Sequence, residues 1–446
     1  MFDDQGRISE EIVQQICKRM FLSDFVICNP KIKKTERVEN ELADTLIYFQ
    51  GNLICFQVKS KRVSGTVDKK PTDYQRIERA VSKGISQLAT IQLALKKNKV
   101  LKVQNSHGIQ LEINPSDVKK LFGVVILDII GEEDFREDDR TVIKRGFTSF
   151  KDIPTHIFLK RDLELILTEI DTLPDFIKYI NIRETLYSND QIIGETHERD
   201  LLALYKIRPN EVNDAVKNNI ILYITPGFWD LYQDKYAKEI SKRNDDNKCS
   251  YLIDEIIEYL HKSIGSDKKL VADFEDDLLH ENTLEQYFLV VSELAGFDRL
   301  TRRNLAEKFI QKMGKADKNP RGSYCLELQN NNTGIVLYSS SKFRAERYSF
   351  LKCLASSAYC KFNLRKVIGI STDNASAPLH YYEIISYENM QFDDYDEFCT
   401  LANKLFKSPK IEHLTEYNSQ KKLKRRIFLN NKCPCGSGRK YKNCCA

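Results

Sequence analysis

Residues 42–49 and 53–59 are two runs rich in apolar and β-branched side chains, and Gln50-Gly51-Asn52 between them allows only a tight reversal. Side chains alternate between the faces of a strand, so the turn decides which residues stand together. A two-residue loop at Gln50-Gly51 sets Asp44 opposite Gln57, and a loop at Gly51-Asn52 sets it opposite Lys59. Both registers put Asp44, Gln57 and Lys59 on one face and Ile47, Phe49, Ile54, Phe56 and Val58 on the other. A three-residue loop without a bulge would split the trio. One face therefore reads as core, and the other carries a carboxylate, an amide and an ammonium group.

The flanking sequence extends this hairpin into an α/β unit with a mixed sheet. Residues 9–22 read as an amphipathic helix with Ser9 as N-cap and Ile12, Val13, Ile16, Met20 and Phe21 as its apolar stripe. Asp24 to Cys28 is β-rich. Residues 76–97 predict a long helix, residues 100–113 a hairpin turning near Ser106-His107-Gly108, and residues 122–130 a strand buried on both faces. A mostly helical region follows. It opens on a segment from His156 with Leu163, Ile166, Leu167 and Ile170 as its stripe, and continues with helices near 173–187, 229–242, 250–264, 284–295 and 301–313. Residues 314–322 have a linker-like composition. A second α+β unit follows, with a hairpin across residues 329–334, a helix at 343–359, strands at 366–370 and 379–386, and a helix at 392–406. The expected division is 1–150, 151–316, 317–420 and a tail at 421–446.

Charge is unevenly placed. The chain of 446 residues carries a formal +5, yet residues 421–446 hold nine Lys/Arg and no Asp/Glu. The remainder has 60 basic against 64 acidic residues, a net of −4. The tail is thus the expected contact for a polyanion. No apolar run is long enough to span a membrane, and the acidic start lacks a signal-peptide pattern, so the expected compartment is the cytoplasm. Eight of the 12 cysteines are scattered at irregular spacing and read as reduced thiols, whereas four fall in the last 14 residues.

A carboxylate, a second oxygen ligand and a lysine on one sheet face are what phosphodiester hydrolysis with a hard divalent cation requires. Glu41-Leu-Ala-Asp44 followed by Gln57-Val-Lys59 resembles the PD-(D/E)XK nuclease superfamily, over roughly residues 8–130. The resemblance implies a restriction-endonuclease-like fold. It makes Asp44 and Gln57 ligands of Mg²⁺ or Mn²⁺, and Lys59 the phosphate and water partner. Glu11 on the first helix and Gln87 on the later one would support the site. Gln57 stands where the family's second acidic residue is usual. Its amide oxygen still coordinates a hard cation but brings no charge, so Glu41 or Glu11 must supply another carboxylate. Lys61 and Arg62 extend the same edge as contacts to flanking phosphates.

Cys433-Pro-Cys435 and the adjacent Cys444-Cys445, separated by eight residues, suit one tetrahedral Zn²⁺ with no open position. The pattern resembles the SEC-C motif found at the end of the bacterial preprotein-translocase ATPase. Lys421, Lys422, Lys424, Arg425 and Arg426 lie just upstream and read as nucleic-acid contacts. The knuckle and the 317–420 unit are also candidate protein-docking elements.

His197-Glu198 has no second histidine at zincin spacing and reads as a helix start, and no Walker-type loop is present. The sequence therefore leads to the expectation of a Mg²⁺-dependent DNA endonuclease, in defence against foreign DNA or phage. Its rivals are a non-catalytic nucleic-acid or protein adaptor on a decayed nuclease fold, and an RNase effector of abortive infection.

Overall fold

The computed structural model describes residues 3–35, 38–63, 70–131, 146–194, 197–265, 284–329, 331–389 and 395–406. Helix α1 (Asp3–Phe21) leads into β1 (Val26–Cys28) and a ribbon of β2 (Lys31–Thr35) and β3 (Val38–Glu41). The hairpin β4 (Thr45–Phe49) and β5 (Asn52–Arg62), helix α2 (Lys70–Lys96), and a second hairpin, β6 (Leu101–Gln104) with β7 (Gln110–Ile113), follow. Strands β8 (Lys120–Ile130), β9 (Phe147–Phe150) and β10 (Ile153–Leu159) complete the first sheet. Next come α3 (Lys160–Glu169), α4 (Leu173–Ser188), β11 (Ile192–Ile193), α5 (Glu198–Ile207), α6 (Pro209–Asn218) and β12 (Leu222–Tyr223). Helices α7 (Phe228–Lys235), α8 (Ala237–Asn247), α9 (Tyr251–Gly265), α10 (Leu284–Ala295) and α11 (Arg299–Ala316) lead to the second sheet. That sheet holds β13 (Ser323–Gln329), β14 (Thr333–Ser339), β15 (Lys366–Thr372) and β16 (Glu383–Glu388), with α12 (Arg344–Lys361) and α13 (Tyr395–Leu405). No helix among the described residues is long and apolar enough to cross a membrane.

The first sheet has the order β1-β4-β5-β8-β10-β9, with β5-β8 and β8-β10 parallel and the other pairs antiparallel. The α/β expectation with a mixed sheet is met. The β4–β5 turn is two residues long, with Gln50 at φ 47° and Gly51 at φ 85°, the positive-φ pair of a type I′ hairpin. A Cβ on Gly51 would lie 2.9 Å from the Asp117 carbonyl, and Gly51 O accepts from Lys119 N at 2.8 Å. The turn thereby seats the start of β8.

Both sheet faces are covered. Ile47, Phe49, Ile54, Phe56 and Val58 pack with Val13, Cys17 and Phe21 of α1 and with α3 and α4. Leu46, Leu53, Cys55, Val125 and Leu127 pack beneath Ile77, Val81, Leu88 and Ile91 of α2. The apolar layer over the first face runs on through α9, α10 and α11 to Ile335, Leu337, Ile368 and Ile370 of the second sheet. The composition boundary at 316/317 is therefore bridged by a continuous core. That second sheet is β13-β14-β15-β16, with α12 as the crossover between parallel β14 and β15.

Three sequence expectations need correction. The segment from His156 is the strand β10, paired parallel to β8, and helix begins only at Lys160. The boundary at 150 therefore cuts through the sheet. Tertiary pairing overrode a local pattern that both a helix and a buried strand satisfy. Ser9 is not an N-cap. It lies inside α1, fully buried, with its hydroxyl 2.8 Å from Gln5 O and 2.5 Å from Asp128 Oδ2. Ile12 is exposed, because the buried line of α1 is Val13, Cys17 and Phe21 at fourfold spacing.

His197 and Glu198 do open helix α5, and Glu198 has a structural task. It accepts from buried Arg183 (Nη2 to Oε2, 2.8 Å) and from the Tyr179 hydroxyl at 2.6 Å. Arg183 Nη1 also lies 3.0 Å from His156 Nδ1. The eight scattered cysteines are free thiols; Cys17, Cys55 and Cys360 are buried and the rest are partly exposed.

Candidate active site

Asp44 is positioned by the strand entry. Its N–H donates to Phe56 O at 3.1 Å, which carries the β4–β5 ladder one pair further and sets Asp44 opposite Gln57. Its carbonyl accepts from Asn29 N at 3.1 Å and from the Gln14 side chain at 3.0 Å. Of the two registers open to the sequence, the fold takes the Gln50-Gly51 loop. The reason is the right-handed strand twist, which a I′ turn matches.

The trio converges. Asp44 is 6% exposed and Gln57 2%. Lys59 Nζ lies 3.5 Å from Asp44 Oδ2, 3.1 Å from Gln57 Oε1 and 2.9 Å from Val58 O. Asp44 Oδ2 also accepts the Val58 N–H at 2.5 Å. The Gln57 amide nitrogen points to Leu42 O at 3.4 Å, so its oxygen faces Lys59 and Asp44. On this face Leu53 and Cys55 lie in the apolar layer beneath α2, and Gln57 and Lys59 follow them toward the end of β5.

Two further carboxylates bear on the trio. Burial pushes the Asp44 carboxyl above its ordinary range, and Lys59 offsets part of that. Glu41 is raised by partial burial and then by Asp44. Glu10 is raised by burial, then by Asp44 and Glu41. Asp44 raises both glutamates and Glu41 also raises Glu10, so the three carboxylates share one electrostatic neighbourhood, which a bound cation would relieve. On helix α1, Glu10 is the glutamate whose carboxyl responds to Asp44 and Glu41. Glu11 is exposed and faces Arg7, 3.9 Å away. The sequence admits two apolar lines on α1, one through Ile12 and Ile16 and one through Val13 and Cys17. Glu10, Val13, Gln14 and Cys17 fall on one helical face, and a wheel anchored on Val13 and Cys17 instead of Ile12 and Ile16 selects Glu10.

Helix α2 supplies the other wall. Lys83 lowers the Asp44 carboxyl, working against burial. A Cβ on Gly84 would sit 3.0 Å from Val125 and 3.7 Å from Lys59 Cε, so the glycine lets α2 close over the lysine stem. One turn on, Gln87 is partly buried and its amide oxygen makes no hydrogen bond. Lys83 and Gln14 were not singled out in the sequence. Lys61 and Arg62 are exposed at the end of β5. Lys421, Lys422, Lys424, Arg425, Arg426, Cys433, Cys435, Cys444 and Cys445 lie outside the described residues.

Residues 430–446 match the SEC-C motif. Among characterised proteins, the chain is similar to the protein translocase subunit SecA of Helicobacter hepaticus, 29% identical over 179 residues. It is also similar to the protein translocase subunit SecA of Campylobacter fetus subsp. fetus, 30% identical over 165 residues. Each match covers 34% of this chain and only 20% and 18% of those relatives, so the likeness spans about a fifth of their length. No solved structure matches the chain.

Proposed function

We propose that this protein is a metal-dependent endonuclease of the PD-(D/E)XK type, acting on DNA in defence against foreign DNA or phage. The observation that carries the reading is the convergence of Asp44, Gln57 Oε1 and Lys59 Nζ on one polar sheet end, with the Asp44 charge raising the carboxyls of both Glu10 and Glu41. Carboxylate and amide oxygens are the donors a hard divalent ion takes, so the residues fit Mg²⁺ or Mn²⁺. Asp44 and Gln57 would hold the ion, with Glu10 or Glu41 adding the charge Gln57 lacks.

The bound ion supplies Lewis acidity and a more acidic water. The remaining steps belong to the protein. Lys59 stabilises charge on the phosphorane-like transition state, being preorganised by its bonds to Val58 O and Gln57 Oε1. Lys61 and Arg62 hold flanking phosphates without reading bases. The Val58 N–H fixes the Asp44 carboxylate, and Leu42 O, accepting from the Gln57 amide nitrogen, fixes the direction of the amide oxygen. Cys433, Cys435, Cys444 and Cys445 hold one structural Zn²⁺, and the basic segment upstream adds a polyanion contact or docks a partner protein.

Plasmid cleavage with Mg²⁺ or Mn²⁺ by wild type, Asp44→Ala and Lys59→Ala tests the reading. Cleavage by wild type alone supports it, and equal cleavage by all three removes the site assignment. No cleavage by any, with DNA binding intact, favours the adaptor, a reading consistent with Lys59 already closing on Asp44 and Gln57. Structured RNA offered in parallel identifies an RNase.

A further inference from the structure

We infer that Asp24, His107 and His261 form a second metal site, for one divalent transition-metal ion, separate from the Asp44 cluster and from the C-terminal cysteines. The three residues come from distant parts of the chain: the turn ahead of β1, the β6–β7 turn and helix α9. One ligand atom of each lies within 4.8 Å of the others. Asp24 is 1% exposed. Its Oδ1 accepts from the Tyr287 hydroxyl at 2.7 Å, while its buried Oδ2 makes no hydrogen bond. That oxygen faces His107 Nε2 at 3.8 Å, a buried nitrogen that likewise makes none. His261 Nδ1 stands 3.5 Å from Asp24 Oδ1 and 3.3 Å from the Tyr287 oxygen. The two imidazole rings lie stacked beside each other at the Asp24 carboxylate.

A buried carboxylate oxygen and a buried ring nitrogen left facing each other without a hydrogen bond are costly, and an ion between them removes the cost. The frame around them is already built. Asn105 donates to Asp24 O at 3.1 Å and accepts from His107 N at 3.0 Å, and Ser106 N donates to Val26 O at 2.8 Å. The turn bearing His107 is therefore fastened to the Asp24 segment before any ion arrives. Tyr287 fixes the carboxylate in the same way from α10. Two imidazole nitrogens and one carboxylate oxygen suit zinc, cobalt or iron(II) and disfavour Mg²⁺ and Ca²⁺. Such an ion would clasp α9 to the β1 edge of the first sheet, and the fourth coordination position would fall to water.

The test is cobalt titration of the reduced, chelator-stripped full chain in excess Mg²⁺, which occupies the Asp44 cluster. Cobalt on the C-terminal cysteines gives thiolate-to-metal charge transfer, whereas cobalt on Asp24, His107 and His261 gives d–d bands without it. Wild type is expected to take up one equivalent of the second kind, absent in His107→Gln and His261→Gln, with the thiolate equivalent kept in both. Zinc should raise the melting temperature of wild type more than that of His107→Gln, the two being alike in chelator. Should His261→Gln fail to fold, His107→Gln in its surface turn decides alone. Absence of the thiolate-free equivalent in wild type, or its survival in His107→Gln, would overturn the site.

Discussion

Replacing Lys59 by methionine separates a metal-binding Asp44 from one held in a plain ion pair. Methionine keeps the stem under Gly84 and removes the ammonium 3.5 Å from Asp44 Oδ2. At an effective dielectric of about 20, that separation corresponds to roughly 5 kcal/mol of gross attraction. The variant also escapes the desolvation of Lys59 itself, and Asp44 keeps the Val58 N–H. The expected net loss of metal-free stability is therefore about 3 kcal/mol, the low end for breaking a buried pair. Asp44, 6% exposed, is then a carboxylate with no adjacent ammonium. Mg²⁺ should consequently bind more tightly than in wild type, where Lys59 opposes it. At tenfold its dissociation constant, Mg²⁺ would restore about 1.4 kcal/mol. Urea denaturation followed by circular dichroism, with and without Mg²⁺, reads both quantities, and a cleavage assay alongside should show no activity at any Mg²⁺ concentration. A loss under about 1 kcal/mol in Lys59→Met would refute the ion-pair estimate, and Mg²⁺ stabilising it no more than wild type would remove Asp44 as the cation ligand.

Glu10→Gln should weaken Mg²⁺ binding and cleavage, whereas Glu11→Gln should leave both unchanged; the reverse outcome would return the site to Glu11. The carboxyls of Asp44, Glu41 and Glu10 are all raised in the fold, first by burial. Their charged forms thus destabilise the metal-free protein, a penalty relieved as pH falls through the raised values, while Mg²⁺ affinity declines over the same window. Calorimetric Mg²⁺ titrations at neutral and mildly acidic pH should show that decline before ordinary surface carboxylates titrate. Arg183→Met leaves Glu198 buried without its guanidinium and should cost about 3–5 kcal/mol, most of it recovered in Arg183→Met/Glu198→Leu by chemical denaturation. Gly51→Ala forces a side chain into φ 85° against the Asp117 carbonyl and should cost roughly 1–2 kcal/mol in the same assay.

Strand alternation and turn chemistry are local, so the sequence determined them by itself. The pairing of Asp44, Gln57 and Lys59 on one face, the core face opposite, the buried run of β8 and the β13–β14 hairpin all follow from residues a few positions apart. So does the SEC-C motif at residues 430–446. Tertiary structure decided what depends on partners remote in the chain. Which of two neighbouring glutamates faces the site turned on the rotation of α1, set by Val13 and Cys17 packing onto the sheet. His156 became a strand residue because β8 offered it a parallel edge, and Ser9 an interior residue because Asp128 was there to meet its hydroxyl. Asp24, His107 and His261 carry no common motif, and no spacing rule joins them. Only the burial of three separate elements against one another brings their side chains together, because hydrophobic packing is non-directional and leaves no periodic trace in the sequence of the polar groups it gathers.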